Sequence, residues 1–180
     1  MPPKNFYDLP NDEADAFFER FAARLPGRLD EFRREVEATG GPSGKDLDGS
    51  PESLVPLWEW FVARNEGGRA REQEAELPLW YEPDPPEVAA ERVPPATLRD
   101  ADGVALYLAE VFKRGMPGLE WGVARMPRRM LYESQNRPVL TGEPGDVDVL
   151  SVAYVMSLKV VLDGRDTDPE ALLRTYRAWT

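Results

Sequence analysis

The sequence predicts a helix-rich α+β fold: a single domain over residues 1–180 with a small antiparallel β-meander of about three strands. A chain of 180 residues fits one domain, and 42% of its residues are hydrophobic, enough for a core without disulfides. Apolar residues recur at helical spacing over most of the chain. They alternate at strand spacing in short segments between 119 and 140.

A pair of helices is predicted first, over residues 11–39. Asn11 suits a helix N-cap, and the acidic residues that follow it favour the positive end of the helix dipole. Pro26-Gly27 interrupts the apolar pattern. We therefore expect one helix to end there and a second to run to the glycines at 40 and 41.

A further helix should begin at Ser50-Pro51-Glu52, where serine can cap and proline suits the first helical position. Pro56 is expected to kink it. Residues 77–95 are rich in proline and form an extended connector. Trp80 and Tyr81 should pin this connector to the body of the protein; the alternative is a proline-rich recognition ligand.

The remaining chain, residues 97–180, predicts a mostly buried helix, the β-meander and two C-terminal helices. The three strands are centred on Trp121, Leu131 and Val139. The apolar segment 149–162 fits either a strand or a helix. We favour the helix because the run exceeds the usual strand length of about 3–10 residues.

The chain has no histidine and no cysteine, which removes several chemistries from consideration. Ser-His-Asp and Cys-His catalysis, zinc sites built on these residues and thiol redox chemistry all need them. No phosphate-binding loop, dinucleotide fingerprint or nucleophile elbow is found. Asp46 and Asp48 suggest a calcium loop, but Leu57 stands where its glutamate belongs. We predict no metal and no cofactor.

The formal net charge is −11, and residues 1–90 carry ten basic and twenty acidic side chains. This sign disfavours nucleic acid and anionic membranes and favours a basic protein partner. The alternative is that the acidic surface has no partner and only maintains solubility. No signal peptide or apolar run of membrane-spanning length is found, so we expect a cytoplasmic protein.

A basic island over residues 113–137 and one isolated acid form the candidate ligand site. Glu110 is a lone charge within the apolar run 104–112, so it must reach solvent or a cation, and Arg114 is one turn away. This pair is either a structural ion pair or part of a site. The island could hold a phosphate, a carboxylate or the acidic half of the chain. The candidate residues are Glu110, Arg114, Trp121, Arg125 and Arg129.

Two nearby carboxylates, Asp146 and Asp148, could bind Mg²⁺. Acids spaced in this way more often cap helices. We therefore expect a helix N-cap at Gly145-Asp146.

Several short motifs occur in a fixed order over residues 50–163: SPESL followed by Trp58, ALYLAEVF at 105–112, PGLEW at 117–121, PVL at 138–140 and DVDV at 146–149. This order resembles a family of small bacterial proteins classed as a domain of unknown function, with a YLGE-type helix followed by a tryptophan-bearing strand. Ala109 stands where that family has glycine. The resemblance implies a fold and no reaction. In charge and size the chain is also loosely similar to immunity proteins, which neutralise a basic toxin.

The leading hypothesis is therefore a non-enzymatic acidic module, immunity-like, that binds a basic protein. The first alternative is a small-ligand or phosphate-binding domain, or an enzyme, that uses the Arg/Glu cluster. The second is a scaffold subunit that self-associates through exposed aromatics such as Trp80 and Tyr81. A convex acidic face favours the first reading, a pocket where Glu110 meets arginines the second, and a large apolar patch the third.

Overall fold

The computed structural model describes residues 6–66, 75–81, 93–126, 134–143 and 145–180. It is helix-rich, with a small antiparallel sheet, as the sequence predicts. Two strands are found rather than three, since the segment around Leu131 lies outside the described residues. The elements are α1 (Asn11–Ala38), a 3₁₀ turn (Pro51–Ser53), α2 (Leu54–Asn65), α3 (Pro95–Gly115), β1 (Glu120–Val123), β2 (Pro138–Thr141), α4 (Val149–Asp163) and α5 (Ala171–Arg177).

Helix α3 is the centre of the fold and packs against α1, α2 and α4. Most of its residues are buried on every side, as expected from its apolar sequence. Tyr107 is fully buried, and its hydroxyl meets Gly49 N at 2.9 Å and Ser53 Oγ at 2.7 Å. A buried hydroxyl without partners is costly, so these bonds fix the 43–53 loop against α3.

Helix α1 is one continuous helix of 28 residues, so the predicted break at Pro26-Gly27 is wrong. Proline in a helix interior costs about 3 kcal/mol. Burial of apolar side chains on both sides of Pro26 offsets this cost, at about 1.5–3 kcal/mol for each large one. The buried residues of α1 are Ala14, Phe17, Phe21, Phe32 and Val36. Pro26 and Gly27 lie on the exposed side.

The entrance to α2 explains why Pro56 does not interrupt the helix. The 3₁₀ turn occupies Pro51–Ser53, and α2 begins only at Leu54. Pro56 therefore lies in the first turn, where a backbone N–H has no partner within the helix. Ser50 is the residue before the 3₁₀ turn, but its side chain makes no capping hydrogen bond.

The start of the predicted connector is pinned to the body by aromatic contacts, as expected. Trp80 is fully buried, and its ring packs edge-on against Tyr154 of α4 at 6.1 Å. Tyr81 lies 5.9 Å from the same ring. Residues 82–92 lie outside the described residues.

The sheet and α4 follow one another closely in the chain. Trp121 pairs with Leu140 across the two strands, and Leu140 also bridges to Val147. The segment 149–162 is helical, which confirms the favoured alternative. Gly164 ends α4 in the left-handed conformation, with φ of 60°, which glycine adopts at little cost.

We expect Gly103→Ala to destabilise the protein, because a methyl group at Gly103 would overlap the Phe32 ring of α1. Overpacking of this kind costs up to about 3 kcal/mol, more than the ~1 kcal/mol that alanine gains in helix propensity. The matched control is Gly27→Ala in α1, where a methyl group meets no atom within 4 Å. This substitution should stabilise the fold by up to about 1 kcal/mol. Urea unfolding measures both; equal shifts for the two variants would contradict the close α1–α3 packing.

Candidate functional site

A groove between α1 and α3 holds two adjoining cavities that share Leu25 and Leu106 in their walls. The Trp80 cavity, about 140 Å³, lies between α1, the first half of α3 and residues 76–80. The Trp121 cavity, about 410 Å³, lies between α1, the second half of α3 and Trp121 of β1.

The candidate residues from the sequence are only partly brought together. Glu110 and Trp121 line the Trp121 cavity, and the cation beside them is Lys113, with Nζ 3.9 Å from Glu110 Oε1. The Glu110 side chain is 35% exposed, so it reaches both solvent and a cation. Arg114 does not pair with it; Arg114 donates to the Asp48 carbonyl.

The other cations of the basic island also find acceptors within the chain. Arg125 pairs with Asp15 of α1 and donates to Asn11 Oδ1 at 2.7 Å, which ties the end of β1 to the start of α1. Lys113 also reaches Glu120 at 3.2 Å. Arg129 lies outside the described residues. Of the described cations of the island, Arg125 thus pairs with an acid of the first half of the chain, whereas Lys113 pairs with acids of the second half.

The pair Asp146 and Asp148 contributes a helix cap, but at a position two residues later than expected. Asp148 Oδ1 accepts from Ser151 N at 2.9 Å and begins α4. Its other oxygen lies 3.3 Å from Arg137 Nε. Burial lowers the pKa of the Arg137 guanidinium, and the attraction of Asp148 opposes this only in part.

The buried acids of α3 are Asp100 and Asp102 rather than Glu110. Asp102 is 5% exposed; its Oδ1 accepts from Trp80 Nε1 at 2.7 Å and its Oδ2 from Arg28 Nη2 at 2.8 Å. Burial opposes protonation of Arg28, yet the hydrogen bonds and attraction of Asp102 and, to a smaller extent, Glu31 together outweigh it and raise the pKa of that guanidinium. One carboxylate thus joins α1, α3 and the segment that carries Trp80.

Asp100 joins α3 to α2 in the same way that Asp102 joins α3 to α1. Its Oδ2 accepts from Arg64 Nε and from Asn65 Nδ2, each at 3.0 Å. Arg64 also lies over the Trp60 ring, 5.0 Å from its centroid. Thr97 Oγ1 donates to Asn65 Oδ1 at 2.7 Å and completes the network.

A signal for both acids is present in the sequence. Residues two apart on a helix point to nearly opposite sides. In a helix predicted to be buried all round, both Asp100 and Asp102 must therefore meet cations or donors from neighbouring segments.

Most described cations are held in ion pairs within the chain, and because acids outnumber cations, the exposed acids left without such a pair carry the excess negative charge. The paired cations are Arg24, Arg28, Arg64, Arg99, Lys113, Arg125, Arg137, Lys159, Arg165, Arg174 and Arg177. Within the described part of the chain, several exposed acids of α1 have no such pair: Asp12, Glu13, Glu19, Asp30 and Glu37.

The chain matches no family model, no curated protein and no solved structure. The resemblance over residues 50–163 therefore stays a prediction. Across the described ranges, no helix is long and apolar enough to span a membrane. No group of three or more acidic side chains within those ranges is arranged to hold a metal ion.

We expect Asp102→Ala to lower the free energy of unfolding by about 3 kcal/mol, because it leaves the Arg28 guanidinium and the Trp80 N–H without their buried acceptor. Glu31→Gln is the control, since Glu31 pairs with the same arginine at 3.1 Å but is half exposed. It should change stability by less than about 0.5 kcal/mol. Chemical denaturation compares the two variants. Similar losses in the free energy of unfolding would contradict the role of Asp102 in joining α1, α3 and the segment that carries Trp80.

A second prediction concerns Glu110→Gln, which should change the free energy of unfolding by less than about 0.5 kcal/mol. The side chain is part exposed and its nearest cation is 3.9 Å away, so little interaction is lost. Thermal and urea unfolding measure this. A loss of about 2 kcal/mol or more would mean that Glu110 is a buried partner after all.

Proposed function

We propose that this protein is a non-enzymatic, immunity-like binding module that docks a basic protein segment along the outer face of α1. The observation that carries the proposal is a line of four exposed carboxylates on that face. Asp12, Glu19, Asp30 and Glu37 form the line, which we call the acidic face.

The regular geometry of α1 places these four acids on one side. They are separated by seven, eleven and seven residues, close to two, three and two full turns at 3.6 residues per turn. At 1.5 Å per residue the acidic face is about 37 Å long. This length supports contact with an extended or helical segment that carries several cations.

The residues between these acids leave room for a partner. Ala16, Ala23 and Gly27 are small and exposed on the same side of α1. Arg33 and Arg34 are the arginines nearest this side: Arg33 is half-buried and lies over the Tyr107 ring, and Arg34 Nε donates to the Asp30 carbonyl at 3.2 Å. The face keeps a net negative charge, since its four acids outnumber these two arginines.

Internal pairing of cations strengthens the case for a basic partner. Arg125 and Arg28 are paired with acids of the chain, so they do not neutralise the acidic face. Complementary charge of this kind speeds association with a cationic surface and is screened by salt. An immunity protein masks a basic toxin by the same physics, which supports that form of the module.

The alternative of a self-associating scaffold subunit relied on Trp80 as an exposed aromatic side chain. Trp80 is fully buried against Asp102 and Tyr154, so self-association cannot use it as an exposed aromatic. The exposed large apolar side chains in the described ranges come from several segments of the chain: Tyr7, Leu77, Met126, Val155, Leu162 and Trp179.

The test replaces the four acids by their amides, in the variant Asp12→Asn, Glu19→Gln, Asp30→Asn and Glu37→Gln. Wild type and variant are used to capture proteins from a lysate of the source cells at low salt, and captured proteins are identified by mass spectrometry. We expect a basic protein that wild type retains, that the variant loses, and that elutes near 1 M salt, where the Debye length is about 3 Å.

The matched control neutralises four exposed acids elsewhere: Glu59→Gln, Glu66→Gln, Glu143→Gln and Glu170→Gln. It makes the same change in net charge but leaves the acidic face intact. The captured protein, once purified, should bind wild type and control equally by calorimetry and the face variant at least about tenfold more weakly. Equal weakening by both variants, or capture that is insensitive to salt, would contradict the proposal.

A further inference from the structure

We propose that the Trp80 cavity binds a small aromatic monocarboxylate of about the size of benzoate. This inference does not rest on the acidic face, because the cavity lies on the buried side of α1. It also uses different residues from the Glu110 site that the sequence predicts.

The size and walls of the cavity fit an aromatic ring. Its volume of about 140 Å³ is close to the roughly 150 Å³ of an apolar cavity that takes up benzene. Phe21, Leu25, Leu106 and Trp80 supply apolar walls. Trp80 is held in place by its hydrogen bond to Asp102, so that part of the wall is already formed without a ligand.

Three guanidinium groups line the same cavity: Arg24, Arg28 and Arg99. Arg28 already donates a hydrogen bond to Asp102. The Arg99 side chain is 38% exposed, and its Nη2 pairs with Glu35 at 3.1 Å. Its Nε is enclosed by the protein and has no hydrogen-bond partner. The other N–H groups of the guanidinium, which do not pair with Glu35, are the donors for a ligand carboxylate.

Arg24 provides a second group that can turn to a ligand. Its contact with Glu76 is 3.8 Å long, and the two side chains are 57% and 86% exposed. Exposed ion pairs of this kind contribute little stability, so a bound carboxylate can replace Glu76 at small cost.

The balance of donors and acceptors favours an anion over an amine. The carboxylates that line the cavity already have partners: both oxygens of Asp102 are used, Glu31 pairs with Arg28, and Glu76 faces Arg24. The Arg99 guanidinium, by contrast, has N–H donors beyond the one that pairs with Glu35. A ligand should therefore bring an acceptor, and its charge is best matched by the arginines.

The experiment titrates the full chain with benzoate, benzyl alcohol and benzylamine, observed by ¹H–¹⁵N correlation spectra. The chain has five tryptophans, so five indole N–H signals are expected, and the Trp80 signal reports on the cavity wall. We expect benzoate to shift that signal saturably and benzyl alcohol to bind at least about tenfold more weakly, since its hydroxyl lacks the negative charge and the second acceptor oxygen of the carboxylate. Benzylamine should bind more weakly still.

Two pairs of variants locate the site. Arg99→Gln should weaken benzoate binding at least about tenfold, whereas Arg34→Gln on the outer face of α1 should leave it unchanged. Leu79→Phe crowds the Trp80 cavity and should reduce binding, whereas Leu29→Phe alters only the wall of the Trp121 cavity and should not. The leucine pair keeps the test informative if Arg99→Gln unfolds the protein.

Three results would overturn the inference: a Trp80 signal that benzoate does not move at tens of millimolar, equal binding of benzyl alcohol or benzylamine, or unchanged affinity in both Arg99→Gln and Leu79→Phe. None of these results bears on capture of a basic protein, so the two proposals fail separately.

Discussion

The arrangement of the first half of the chain depends on the hydrogen bonds that buried Asp102 accepts. A carboxylate buried in a helix core is stable only when its charge is neutralised and its oxygens accept hydrogen bonds. Asp102 meets both needs with Arg28 of α1 and Trp80 of the following segment. These partners are far apart in sequence, so their convergence sets where α1 and residues 76–81 lie on α3. Asp100 does the same for α2 through Arg64 and Asn65.

The fixed position of α1 has two consequences. The side of α1 that faces α3 borders the groove with the Trp80 and Trp121 cavities, and the Trp121 cavity extends round the helix to Pro26 and Asp30. The outer side of α1 carries the acidic face, which exists as a line only because the helix continues through Pro26 and Gly27. A hinge at these residues would separate Asp12 and Glu19 from Asp30 and Glu37. The binding module and the cavity therefore both rest on the same helix.

Local patterns predicted most elements of the fold. The apolar periodicity indicated α3, α4 and α5, and the alternation around Trp121 and Val139 indicated the two strands observed. Pro26-Gly27 was misread because helix propensity is a local preference, whereas the burial of Phe21 and Phe32 against the rest of the core is tertiary. Burial outweighs propensity here, and no local pattern contains it.

The candidate site was harder to predict than the fold. Glu110 stood out because its sequence neighbours are apolar, but it lies at the edge of α3 and reaches solvent. Asp100 and Asp102 are the acids that the core encloses, and their partners come from segments 22 or more residues away in the chain. Arg114 and Arg125 likewise contact residues far away in sequence, Asp48 and Asp15. Spacing along a helix cannot show such contacts.

The acidic face requires that α1 is continuous through Pro26 and Gly27, and one distance tests this. The chain has no cysteine, so spin labels can be attached only at introduced sites, Ala16→Cys and Arg34→Cys, both exposed on the outer side of α1. Eighteen residues at 1.5 Å each give a backbone separation of about 27 Å. Double electron–electron resonance should show one narrow distribution near that distance. A broad distribution, or a clearly shorter distance, would mean that α1 bends at Pro26 and that the four carboxylates do not form a line.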